Sequence, residues 1–164
     1  MKTKTNKARY VASAALIAAL YVVLTTISSL MGLSSGVIQV RFSEALTILP
    51  AFTPAAIPGL FIGCLISNII AGGVIWDVIF GSVATLIGAV GTYLLKRKKW
   101  LVPLPPILAN MAIVPLILIF AYGVPDSYWF TLITVGAGEI ISCGILGMIL
   151  YFAINKYGKD IFKQ

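Results

Sequence analysis

Apolar residues fill the chain in long uncharged runs at 10–40, 45–76, 78–95, 100–125 and 140–155. A run of about 18 or more apolar residues is long enough to cross a bilayer. A soluble fold has no interior large enough for five of them. Four helical spans follow directly, at about 10–30, 78–95, 101–122 and 129–155. The run 45–76 is ambiguous. As one helix it would rise about 48 Å, too long for a hydrocarbon core of about 30 Å. As two it is short, but Pro50, Pro54 and Pro58 supply a break.

Charge resolves the ambiguity. The net charge of +7 comes from 12 Lys and Arg against 5 Asp and Glu. All the basic residues except Arg41 fall in three clusters: Lys2, Lys4, Lys7 and Arg9; Lys96, Arg97, Lys98 and Lys99; Lys156, Lys159 and Lys163. Such clusters flank apolar runs where positive charge marks the cytoplasmic side, which argues against a nucleic-acid surface. One helix over 45–76 would strand the 96–99 cluster outside. Two helices put all three clusters inside. The expectation is an all-α membrane protein, a bundle of six transmembrane helices with the N and C termini cytoplasmic. It forms a single domain over 1–164, with a basic segment 1–9 and a tail 156–164 in the cytoplasm. The apolar stretch after the basic start exceeds a signal-peptide core, so it is expected to stay as an uncleaved first helix.

Aromatic residues agree with this count. Tyr10, Tyr93, Trp100 and Tyr157 would border the inner surface, and Trp76, Tyr122, Tyr128 and Trp129 the outer one. The Gly- and Ser-rich connector at 31–39 would lie outside, either as a lid or as an ordinary link.

Composition then narrows the chemistry. The chain is 60% hydrophobic and 10% charged and has no histidine, which removes the commonest general base and metal ligand. It has no GxSxG, HExxH or GxxxxGK[ST] motif. No enzyme, cofactor or metal site is expected, and any driving energy must come from another subunit. Cys64 and Cys143 lack CxxC spacing and read as small buried hydrophobes.

The charges outside the clusters and the tail are Arg41, Glu44, Asp77, Asp126 and Glu139. Glu139 lies about ten residues into the last span, where a carboxylate costs roughly 2.5–3.5 kcal/mol unless paired or hydrated. It is either a functional group or half of a buried ion pair, for instance with Arg41. Arg41 and Glu44, three apart, can meet across one turn or touch ligand. Asp77 can cap a helix or face the ligand. Asn68 and Asn110 are amides inside spans, suited to helix–helix bonds or to ligand. Asp126 follows Pro125 and reads as a turn residue. These groups gather on one side with a single carboxylate deeper, a pattern for a pocket open outward rather than a relay across the membrane.

Two stripes of small residues complete the reading. Ala8, Ala12, Ala15 and Ala19 line one face of the first helix, with Ala14 and Ala18 beside them. A partner subunit is expected there. Gly59, Gly63, Ser67 and Ala71 form a similar stripe, expected to serve internal packing.

Several stretches bear a family likeness: Ile38-Gln-Val-Arg-Phe-Ser-Glu-Ala-Leu46 followed by Leu49-Pro50, the segment 77–86, the segment 106–110, and Gly138-Glu139. Over residues 8–155 the chain resembles the QueT-type, queuosine-precursor S components of energy-coupling factor (ECF) importers. The resemblance implies a subunit of the bacterial plasma membrane that captures queuine or a related 7-deazaguanine from outside. Uptake would be ATP-driven, with a transmembrane coupling subunit and two cytosolic ATPases as partners. It also implies toppling in the membrane to release ligand inside. The family's AxxxA motif maps onto Ala14–Ala18 and Ala15–Ala19.

The chemistry suits such a ligand. A guanine edge presents N1–H and a 2-amino group side by side, which one carboxylate accepts bidentately. Glu139 is the first choice and Asp77 the second. Asn110 and Asn68 suit the carbonyl or ring nitrogens, Arg41 would touch ligand or pair with Glu44 three residues on, and Glu44 or Asp77 would meet an ammonium. Trp76 or Phe42 would stack on the ring. The alternatives are an S component for another vitamin, a proton-coupled exporter of cationic drugs using Glu139, or a scaffold.

Overall fold

The computed structural model describes residues 2–34 and 37–158, with residues 2–6 described by their backbone alone. Ser35 and Gly36 of the expected lid, and the tail 159–164 with Lys159 and Lys163, lie outside the described residues. The side chains of Lys2 and Lys4 do as well.

Every regular element described is helical. Helix α1 runs Lys2–Leu30, uninterrupted because no glycine or proline falls within it. A 3₁₀ helix, Phe42–Ala51, follows; α2 is Ala56–Ile70, α3 Ile75–Leu95 and α4 Leu104–Phe120. The last passage is continuous over 128–157: α5 Tyr128–Glu139, a π-helical segment Ile140–Leu146, and α6 Gly147–Tyr157. Six helical passages therefore cross the bundle among the described residues, as the parity of charge requires. Four of them are long and apolar enough to span a membrane.

The two short passages are those carved from 45–76. Their brevity has a structural licence. At about 2 Å rise per residue the 3₁₀ helix is shorter than a bilayer core, but its residues Ser43, Glu44 and 46–50 are buried. Irregular backbone is tolerated at membrane depth where protein rather than lipid covers it. Here α1, α2, α3, α6 and the π segment all pack against it, and Ile48, Leu49 and Leu60 form the core with Ile17 and Tyr21.

Small residues set the close contacts. A Cβ on Gly59 would lie 2.7 Å from the Ala14 carbonyl, and one on Gly63 would lie 3.0 Å from the Ala18 carbonyl. The stripe on α2 thus seats α1 directly, through Ala14 and Ala18. Gly88 and Gly91 receive Pro106 and Pro105 in the same manner, joining α3 to α4.

The two ends of the bundle differ in character. At one end Lys96, Lys99 and Lys156 lie over the rings of Tyr93, Trp100 and Tyr157. Trp100 meets Phe152 edge-on at 5.6 Å, and the Tyr10 hydroxyl reaches the Pro54 carbonyl. Lys96, Lys99 and Lys156 and the expected inner aromatic belt therefore share one end. At the opposite end α2 stops where Gly72 takes φ +72°, a left-handed conformation that costs glycine nothing.

Candidate ligand-binding site

Below the Gly72 end, the buried polar side chains converge on one cavity. It is lined by Arg41, Glu44, Asp77, Asn110 and Glu139, together with Gln39, Cys64 and Thr85. The five come from four passages, each for a local reason. Arg41 caps the 3₁₀ helix in extended backbone, and Glu44 sits in its first turn, so both carry over from the strap at 37–40. Asp77 lies in the first turn of α3, where a carboxylate complements the helix dipole. Asn110 is buried midway along α4, and Glu139 closes α5 at the junction with the π segment. Such π segments frequently mark functional positions within helices.

Glu44 is the most enclosed of these groups, at 3% exposure. One oxygen accepts a short hydrogen bond from Tyr21, itself buried on α1. The other has no partner among the described residues. Glu139 is half-buried, and its Oε2 accepts a hydrogen bond from the Cys143 thiol at 3.1 Å, one helical turn further on. Cys143 also lies within reach of Thr47 Oγ1 and the Glu44 carbonyl. The Asn110 amide faces both carboxylates. Among the described residues Arg41 forms no ion pair with Glu44, Asp77 or Glu139, so Glu139 is not held as half of a salt bridge.

The strap at 37–41 closes the cavity from above. A Cβ on Gly138 would lie 2.0 Å from the Gln39 carbonyl, so the strap rests directly on bare α5 backbone. The Arg41 and Phe42 amides donate to Ser142 and Ser28 at 3.2 and 2.8 Å. Beneath it the enclosed cavity measures about 20 Å³, room for about one water. A second, open cavity of about 260 Å³ sits above, lined by Ser29, Ser34, Asn68, Gly73 and Tyr122. Arg41 and Asp77 line both, and form the wall between them. There Tyr122 donates to Asp77 at 3.0 Å, and burial and that carboxylate push its hydroxyl above the usual tyrosine range. The bond therefore persists at neutral pH.

Not every residue singled out from the sequence meets here. Asn68 lines the outer cavity, and its amide donates to the Asp77 backbone carbonyl at 3.3 Å. Trp76 is 56% exposed and stacks on Phe80 at 5.9 Å, in an apolar groove facing away from the cavity. Phe42 opens the 3₁₀ helix without lining either polar cavity. Sequence reasoning missed Tyr21 and Cys143. Cys143 carried a signal, being four residues after Glu139 on one helix; Tyr21 carried none beyond a hydroxyl in mid-span. The alanines of α1 divide: Ala14 and Ala18 face α2, whereas Ala8, Ala12, Ala15 and Ala19 are exposed.

Comparison with known proteins gives two matches. A family model described as "QueT transporter" matches residues 11–156. The "Queuosine precursor transporter QueT" of Lactococcus lactis subsp. cremoris is 39% identical over 98 residues. That alignment covers 58% of this chain and 57% of the relative, less than two thirds of its length. No solved structure matches.

Proposed function

The chain belongs to the QueT transporter family, and from that premise we propose that it is the substrate-capturing S subunit of an ECF-type importer for a queuosine precursor. The observation that carries the reading is the buried cavity, in which carboxylates and an amide converge inside an otherwise apolar bundle. A base with a guanine edge matches that donor set. Glu139 accepts N1–H and the 2-amino group, Asn110 meets the adjacent carbonyl, and Glu44 or Asp77 takes an ammonium where the precursor carries one. Arg41, without an ion pair among the described residues, joins Asp77 at the entrance.

The enclosed volume is far below the roughly 300–1,000 Å³ of ordinary ligand pockets. A bicyclic base therefore enters from the outer cavity by parting the wall at Arg41 and Asp77 and lifting the strap from Gly138. The basic end faces the cytoplasm in this reading. The exposed Ala15 and Ala19 receive the coupling subunit, and ATP is hydrolysed by partner subunits. The chain acts as one membrane-embedded binding domain and not as an enzyme.

Binding of 7-deazaguanine bases to the detergent-purified chain tests the proposal. The wild type should bind, and Glu139→Gln should lose ~30-fold or more in affinity, because an amide donor then faces a ligand N–H. Melting temperature should be held or raised, since an amide is cheaper to bury than a carboxylate. Unchanged affinity would remove Glu139 from the edge-reading role and pass it to Asp77. A failure of every such base to bind the wild type would sink the substrate assignment.

A further inference from the structure

The cavity gathers more carboxyl groups than its own residues can pair. Three carboxylates, Glu44, Asp77 and Glu139, face one guanidinium, Arg41. Burying unbalanced charge in a low-dielectric interior is expensive without a partner. The imbalance is worst at the bottom. There Glu44 is 3% exposed and its second oxygen meets no donor among the described residues. A buried unsatisfied carboxylate oxygen in a chamber of single-water size calls for a small cationic occupant.

The donors next to that chamber, with Cys143 just outside its lining, specify which cation. One oxygen each from Glu44 and Glu139 and the sulfur of Cys143 all lie within 4.8 Å of one another. Glu139 Oε2 and Cys143 Sγ are already 3.1 Å apart. A tetrahedral ion with bonds of about 2.0–2.3 Å needs such a set drawn in by about 1 Å, within reach of a carboxylate rotation. Two carboxylates with one thiolate suit a borderline-soft ion of the zinc class. Magnesium and calcium prefer six or more oxygens.

We infer that Glu44, Glu139 and Cys143 form a site for one zinc-class divalent cation in the closed, ligand-free chain. Binding displaces the Cys143 thiol proton to solvent, because the thiolate is the ligand. The ion and a nucleobase would use the same carboxylates and so exclude one another. This last point rests on the proposed base-binding role; the metal site does not.

Cobalt(II) titrated into the full-length chain in detergent, with no base present, is the test. A thiolate–cobalt charge-transfer band should rise to one equivalent. The chain has no histidine and only two cysteines, so the band reports Cys64 or Cys143 alone. It should vanish in Cys143→Ser, persist in Cys64→Ser, and need ~10-fold or more cobalt in Glu139→Gln. Should Cys143→Ser fail to fold, Glu44→Gln must weaken the band by a similar factor. Saturating 7-deazaguanine should suppress it. Absence of the band or its survival in Cys143→Ser would overturn the metal site; its persistence undiminished while base is bound would overturn the mutual exclusion. Base binding without a band sinks the metal site alone, whereas a band without base binding sinks the substrate reading alone.

Discussion

At the scale of single residues, the site depends on how each buried carboxylate is held. Glu44 relies on Tyr21, whose buried hydroxyl donates to one of its oxygens. Tyr21→Phe keeps the ring that fills the core and removes that donor. It should lower stability by about 1–3 kcal/mol, the cost of an unsatisfied buried group, read as a fall in melting temperature in detergent. Tyr10→Phe is the control. Its hydroxyl makes only an exposed 3.4 Å contact to the Pro54 carbonyl, and its loss should change stability by less than ~0.5 kcal/mol. Equal effects from the two variants would mean that Tyr21 does not support Glu44.

At the scale of elements, the bundle is assembled through bare backbone. Gly138 lets the strap touch α5, and the Gln39 carbonyl occupies the space where a side chain would begin. Gly138→Ala must push the strap outward, at a cost of about 1–3 kcal/mol where the contact cannot relax. Base affinity should fall while helical content, read by far-UV circular dichroism, stays unchanged. Undiminished affinity would show that the strap does not shape the site. The alanine stripe of α1 makes two separable predictions. Ala18 is buried against Gly63, so Ala18→Leu should lower melting temperature. Ala15 is exposed, so Ala15→Leu should leave melting unchanged. If that face receives a coupling subunit, Ala15→Leu should also abolish its pull-down; a normal pull-down would return the face to lipid.

At the scale of the whole molecule, a lysine-rich end with its aromatic partners stands opposite the end that holds the polar cavities. Lys96, Lys99 and Lys156 lie with Tyr93, Trp100 and Tyr157, while Arg41, Asp77, Tyr122 and Gly72 surround the outer cavity. If positive charge faces the cytoplasm, a cysteine introduced as Lys98→Cys should resist impermeant maleimide in intact cells and react after permeabilisation. Efficient labelling of intact cells would invert the orientation and place the cavity inside. Arg97 and Lys98 are exposed in the α3–α4 turn, so protection would reflect the membrane and not the fold.

The sequence alone determined the number of passages, because each uncharged run must be buried in lipid and each basic cluster must lie at a run's end. It also determined which residues merit scrutiny, since a carboxylate such as Glu139 is rare within an apolar span. The split of 45–76 was legible too, from the parity of the basic clusters; of the three prolines only Pro54 falls in the break, Pro50 and Pro58 lying inside the two helices. Only the tertiary structure decided which polar groups meet. Glu44 is separated from Tyr21 by 23 residues and from Cys143 by 99, and local periodicity says nothing about which of several apolar helices become neighbours. Trp76 shows the same limit from the other side: an aromatic beside Asp77 in sequence turns towards lipid, because successive residues on a helix point about 100° apart. The π segment after Glu139 was equally silent in the sequence, since nothing in Ile140–Leu146 distinguishes it from ordinary helix. The division of the alanine stripe was decided by Gly59 and Gly63, two small residues on another helix that admit Ala14 and Ala18 and leave Ala15 and Ala19 outside.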